Sequence, residues 1–205
     1  MSNTWYARVR TTPGSGVRIL AIRNGQHDDG AIVDLDEAEA GSALTEGCYL
    51  QALLDAEDRV VRLVPEPPAV SRPPLWFVEI RESTAQPPAV NLVAFSGHDQ
   101  PEGAVLDATA ATNLAISSND QLGAVRWWPA TGEVDQIYVA PDWRRHRIGT
   151  RLVVSAGCLA IARKWPRLWG DGQRTALGEQ FRNASTWRDR AADLTHLVPP
   201  MTPPS

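Results

Sequence analysis

Cysteine is nearly absent. The 205 residues hold two, Cys48 and Cys158, far apart and with no CxxC or histidine partner spacing. That excludes a disulfide framework and a zinc site, and leaves two reduced thiols in a reducing compartment. Lysine is scarcer still, because nineteen of the twenty basic residues are arginine and Lys164 stands alone. The skew fits a GC-rich genome, and it also suits bidentate contacts to phosphate. No run approaches the ~18 apolar residues that span a bilayer. The opening residues MSNTWYARVR lack the basic-then-apolar layout of a secretory signal, so the expected location is the cytoplasm. What is present is an ordinary globular balance, 43% hydrophobic and 21% charged, which excludes wholesale disorder. The length allows one large domain or two small ones.

The net charge of −4 hides a segregation. Between Gln26 and Asp58 there are ten acidic residues and no Lys or Arg, whereas Arg126 to Arg190 carries twelve basic residues against six acidic ones. Such asymmetry predicts two units that face different partners or face each other. The basic half suits an anionic ligand, either a phosphate-bearing cofactor or nucleic acid. Without a dedicated recognition motif, nucleic acid is not the expected partner.

Five prolines within Pro65–Pro74 predict an extended linker, and residues 199–205 predict a second proline-rich segment, a tail. The expected domains are therefore 1–64, a small acidic β-rich module, and 75–198. In the first, Trp5 to Arg10, Val17 to Arg23 and Ala31 to Leu35 read as strands. Asp34 or Asp36 then caps a helix through about Glu46, with Gly47 as its C-terminal cap. Cys48 to Leu54 and Arg59 to Val64 read as a closing strand pair. His27 with Asp28 and Asp29 reads as a solvated turn, not a metal site. The pattern of Gly30, an apolar pair, Asp-Leu, a Glu/Ala helix and Gly47 resembles a small module of tailed-phage head proteins. That resemblance implies an attachment element that meets a larger protein assembly, with the tail as a second contact.

In the second unit, Leu75 to Arg81 and Val90 to Phe95 are strand-like, and 97–121 reads as loop plus a short Ala-rich helix. Gly123–Trp128 and Glu133–Val139 flank Pro129-Ala130-Thr131-Gly132, a hairpin with a four-residue turn. Trp127 and Trp128 then point to opposite faces. After Pro141, the basic run Trp143 to Thr150 leads into an amphipathic helix from about Ile148 to Lys164, with one buried and one wet face. Cys158 falls among its apolar residues. Strand, basic glycine-containing turn and helix start together make an anion site, because first-turn N–H groups have no intrahelical partner.

The run from Ile137 to Leu152 resembles the central motif of the GNAT (Gcn5-related) acyltransferases, whose pattern is Arg/Gln-x-x-Gly-x-Gly/Ala after the fourth strand. Arg144 matches the leading residue and Gly149 the second glycine, while Arg147 stands where the first glycine is expected. The resemblance implies a mixed, mostly antiparallel α/β (α+β) sheet flanked by helices over 75–198. It implies acetyl-CoA as cosubstrate, held by Arg144, Arg145, His146, Arg147, Ile148, Gly149 and Thr150, with Ile137 and Val139 along the pantetheine. It implies transfer to an amine acceptor of unknown identity. Glu133 and Asp135 are the local candidates for general base. The family often places a proton-donating Tyr on the helix after the fifth strand, but no Tyr follows Tyr138. That helix opens at Asp171 to Thr175, with Arg174 and Thr175 as ligands or caps. The alternative is a non-catalytic attachment protein of a phage particle that reuses the scaffold.

Overall fold

In the computed structural model, which describes residues 4–12, 16–41, 48–65, 73–184 and 190–198, two sheets form from the alternating apolar stretches. The first contains β1 (Trp5–Thr12), β2 (Gly16–Ile22), β3 (Ile32–Leu35), β4 (Cys48–Leu54) and β5 (Val60–Pro65) in the order β3-β1-β2-β4-β5. Only the β1–β3 pair is parallel. Asp36 caps α1 (Glu37–Ala40), accepting from Glu39 N at 2.7 Å while the Glu39 carboxylate accepts from Asp36 N at 2.8 Å. This reciprocal box satisfies two donors that a helix start leaves open. α1 ends at Gly41; its expected continuation to Glu46 and the cap at Gly47 lie outside the described residues, as do most of the proline-rich linker (66–72) and the tail (199–205).

The second sheet holds β6 (Trp76–Glu82), β7 (Ala89–Phe95), β8 (Val105–Asp107), β9 (Gly123–Trp128), β10 (Glu133–Val139) and β11 (Trp169–Gly170), in the order β11-β10-β9-β7-β6-β8. It is mixed and mostly antiparallel, with β6–β8 and β10–β11 parallel. α2 (Ala108–Thr112), capped by Asp107 on Ala110 N at 2.7 Å, lies beside β8 and covers Trp76, Val78, Val93 and Phe95 on one face. β8 adds a strand to a stretch expected as loop and helix; three residues are too few to show alternation.

α3 (Ile148–Ala162) lies between the sheets, touching β1, β2, β4 and β5 on one side and β7, β9 and β10 on the other. Eleven of its fifteen residues are buried and none is fully exposed, so the expected wet face shrinks to a half-buried stripe of Thr150, Arg151, Val154 and Gly157. The cause is the N-terminal sheet, whose Tyr6, Val17, Ile19, Ala52 and Leu63 share one core with Leu152, Ala156, Leu159 and the Phe77, Leu92, Val125 and Trp127 side of the second sheet. A helix apolar all round is stable only when covered all round. Its one charged residue, Arg151, donates at 2.7 Å to the Pro73 carbonyl and at 2.7 Å to Glu102. β12 (Gln173–Arg174), α4 (Ala176–Ala184) and β13 (His196–Leu197) complete the described chain.

The sheets meet along two seams. At one, Leu63 N donates to Gly103 O at 2.8 Å and Arg62 bridges to Ala104, beside β8. At the other, Arg167 binds Asp29 and Lys164 binds Asp34, which also takes Arg8 at 2.5 Å. The acidic and basic halves therefore face each other. A separate ion pair ties sheet to helix end: the Glu79 carboxylate, 8% exposed, accepts from both terminal nitrogens of Arg163 and from Arg81 Nε at 2.9 Å. Burial pushes the Glu79 pKa up, but the bonds from Arg163 and then Arg81 outweigh it and hold the group below its usual value. Its stabilising contribution is thus present above the unfolded glutamate pKa and lost as pH falls through the lower folded value. Glu79→Gln is expected to cost about 3 kcal/mol in urea unfolding at pH 7, because it leaves Arg163 without its counter-charge.

Candidate functional site

β9 and β10 pair with Glu133 opposite Trp128 and Val134 opposite Trp127, and then with Gln136 opposite Arg126. Asp135 is therefore an extra residue, a β-bulge that bends the strand. On the other edge β11 pairs only with Glu133 and Val134. From Asp135 to Val139 that edge of β10 has no strand partner among the described residues, so the sheet opens as a V whose root is the bulge. The root is held by Trp169, whose backbone N donates to Gly132 O at 3.0 Å and whose Nε1 donates to Thr131 O at 3.1 Å. Gly132 has φ +77°, and a Cβ there would collide with the Arg167 carbonyl, so the turn needs glycine.

The mouth of the V is the basic loop. Arg145 and Arg147 adopt φ +66° and +59°, and Arg147 is the N-cap of α3 with no side chain capping the helix. The N–H groups of Ile148, Gly149 and Thr150 consequently start the helix without an intrahelical partner, at the positive end of its dipole. Arginine at position 147 thus keeps the left-handed backbone that glycine takes without strain, at a cost of about 1 kcal/mol. Arg144 Nε donates to Val139 O at 3.3 Å, and His146 packs edge-on to Trp143 with ring centroids 5.9 Å apart. Arg144, Arg145, His146 and Arg147 are all exposed. Ile137 and Val139 turn their side chains onto the core, so what they present at the open edge is backbone.

α4 closes the mouth from the side. Thr175 acts as its cap, its Oγ1 accepting from Gly178 N at 3.0 Å. Arg174 is taken up in bonds to Glu179 at 2.5 Å and to the Asp171 and Ala192 carbonyls, both at 2.6 Å. Phe181 packs at the N-terminus of α3: a Cβ at Gly149 would sit 3.4 Å from its ring and 3.5 Å from Val139 Cγ2. The ring that α4 brings beside Gly149 is thus a phenylalanine, which has no hydroxyl.

At the root stand the carboxylates. Glu133 is half-buried, and its pKa is raised by burial first and then by the charges of Asp171 and Asp135. Asp135 accepts from Arg126, which also donates to Glu82 at 2.8 and 3.2 Å, while Glu82 accepts from Asn91 Nδ2 at 2.6 Å. Sequence reasoning missed Asp171, Arg126 and Phe181. Arg126 was within reach, since its neighbours Val125 and Trp127 are apolar and alternation sends it to the opposite face. Asp171 was not, because a two-residue parallel strand leaves no periodic signal.

Replacing Arg147 by glycine is expected to relieve the left-handed strain and raise Tm by about 2–4 °C in calorimetry, and Arg147→Val to lower it.

Residues 59–170, from β5 to β11 and more than half of the chain, match the model of the acetyltransferase (GNAT) family. Neither the curated proteins nor the solved structures yield a match. On that span, which contains the V and its basic mouth, the chain belongs to the GNAT family of acetyltransferases, which take their acyl group from acetyl-CoA.

Proposed function

We propose that the protein transfers an acetyl group from acetyl-CoA to an amine. The observation that carries this reading is the parting of β10 from β11 at the bulge, with the uncapped α3 N-terminus and four exposed basic side chains at the open end. A diphosphate suits that end: helix N–H groups and guanidiniums supply charge-assisted donors, and Arg147 adopts the left-handed backbone that a glycine would take there. The free edge of β10 from Asp135 to Val139 offers backbone groups to an amide-bearing arm and to a carbonyl oxygen gaining negative charge. The donor supplies a thioester, an acyl group on a good leaving group.

Glu133, at the root, takes a proton from the amine as the C–N bond forms; the C–S bond then breaks, and CoA leaves as a thiolate that takes its proton from water. The raised pKa of Glu133 suits a base, since it grips the proton more firmly than an exposed glutamate. Orientation in the V provides the remainder of the rate. The reacting geometry places no demand on the N-terminal sheet beyond holding α3.

Calorimetric titration with acetyl-CoA should show micromolar binding by the full chain, weakened at least about tenfold in the double variant Arg144→Gln/Arg145→Gln. No heat from the wild type at high protein concentration would overturn the reading. In turnover against a panel of small primary amines, the acid limb of kcat/KM should lie above 4.5, the ordinary glutamate value, and activity should fall as pH drops through it. Glu133→Gln should remove that limb along with most of the turnover, while leaving acetyl-CoA binding in place.

A further inference from the structure

The side of the second sheet that faces away from α3 has its apolar cluster where α2 covers it. The rest carries a chain of charged bonds across four strands. Asn91 on β7 donates to Glu82 on β6, Glu82 accepts from Arg126 on β9, and Arg126 donates to Asp135 on β10. Asp135 is the extra residue of the bulge, so the chain ends at the point where β10 leaves β11. We propose that Arg126 is a positioning residue of the acyl-transfer site: it ties the bulge to Glu82, engages the Asp135 carboxylate, and so leaves Glu133 as the carboxylate at the root of the V that accepts the amine's proton. This rests on the transferase reading given above.

Three observations carry it. First, an extra residue in a strand is left unpaired and disrupts the local ladder, and here a side chain tied to a carboxylate two strands away holds it. Arg126 does so with a planar fork, using three nitrogens on two carboxylates, a geometry lysine lacks. Second, Glu82 is held below its ordinary pKa by Arg126 and then Asn91, so the anchor stays charged where a glutamate base works. Third, the charged groups facing Glu133 are Asp135 on its own strand and Asp171 after β11, while β9 presents Trp128 opposite it and Arg126 beside Asp135. Arg167, which precedes β11, turns its guanidinium to Asp29 instead. Arg126 is thus the cation that offsets Asp135 beside Glu133. Among the described residues the Glu133 carboxylate has no cationic partner of its own.

The test is a pH titration of the Glu133 carboxyl carbon by NMR in the full chain, free of any acceptor. Arg126→Gln should move the Glu133 midpoint up by about half a pH unit or more, because the Asp135 charge is then uncompensated. Asp135→Asn should move it down, and the double variant should lie between the two single variants, since each charge acts on Glu133 on its own. Arg126→Lys should keep the midpoint but shift the Asp135 and Gln136 amide resonances, as the fork is lost. An unchanged midpoint in Arg126→Gln overturns the proposal. If that variant does not fold, an unchanged midpoint in Asp135→Asn overturns it equally. Acetyl-CoA titration of the same samples separates the two readings: a wild type that binds no acetyl-CoA sinks the transferase reading whatever Glu133 does.

Discussion

The burial of α3 on both broad faces is the constraint from which the site follows. A helix with no charged residue from Leu152 to Ala162 has no face to give to water, so it requires a second layer, which the N-terminal sheet supplies. Burying Ile148, Leu152, Leu159 and Ile161 contributes roughly 1.5–3 kcal/mol each. That core fixes the helix axis, and with it the direction in which the first-turn N–H groups point. The basic loop is exposed, but its geometry is inherited from the least exposed helix among the described residues.

Electrostatics divides the carboxylates into two populations. Asp29, Asp34 and Glu79 are spent in ion pairs that join layers, and each is held below its ordinary pKa by arginine or lysine, in the case of Asp29 with a backbone N–H contributing most. Glu133 stands in the opposite situation, beside two anions and partly desolvated. One chain thus carries carboxylates that resist protonation where they hold the fold and one that favours it where the strands part. The arginine surplus of the C-terminal half is likewise split: Arg163 and Arg167 serve the fold, while Arg144, Arg145 and Arg147 remain at the surface.

Much of this was legible in the sequence, for physical reasons that differ by element. The β9–β10 hairpin was read at its observed ends, because alternation on both sides of Pro129–Gly132 leaves little freedom of register. The basic loop and helix start were equally legible, since a motif at a strand–helix junction is local. The backbone at Arg147 was not: its left-handed conformation is imposed by the strand end and α3, against the residue's own preference. The two-sided burial of α3 was also missed, although the uncharged run after Arg151 announced it. β8 and β12 are three and two residues long, and their existence depends on partners distant in sequence, whereas β11 was legible at Leu168-Trp169.

The two seams differ in chemistry, and that difference gives the molecule a hinge and a clasp. The β5 side is joined by backbone hydrogen bonds that continue the sheet, whereas the β3 side is joined by exposed side-chain charges, each worth little in salt. The charges on the β3 side are screened as salt rises while the backbone bonds on the β5 side are not, so the two seams answer differently to ionic strength.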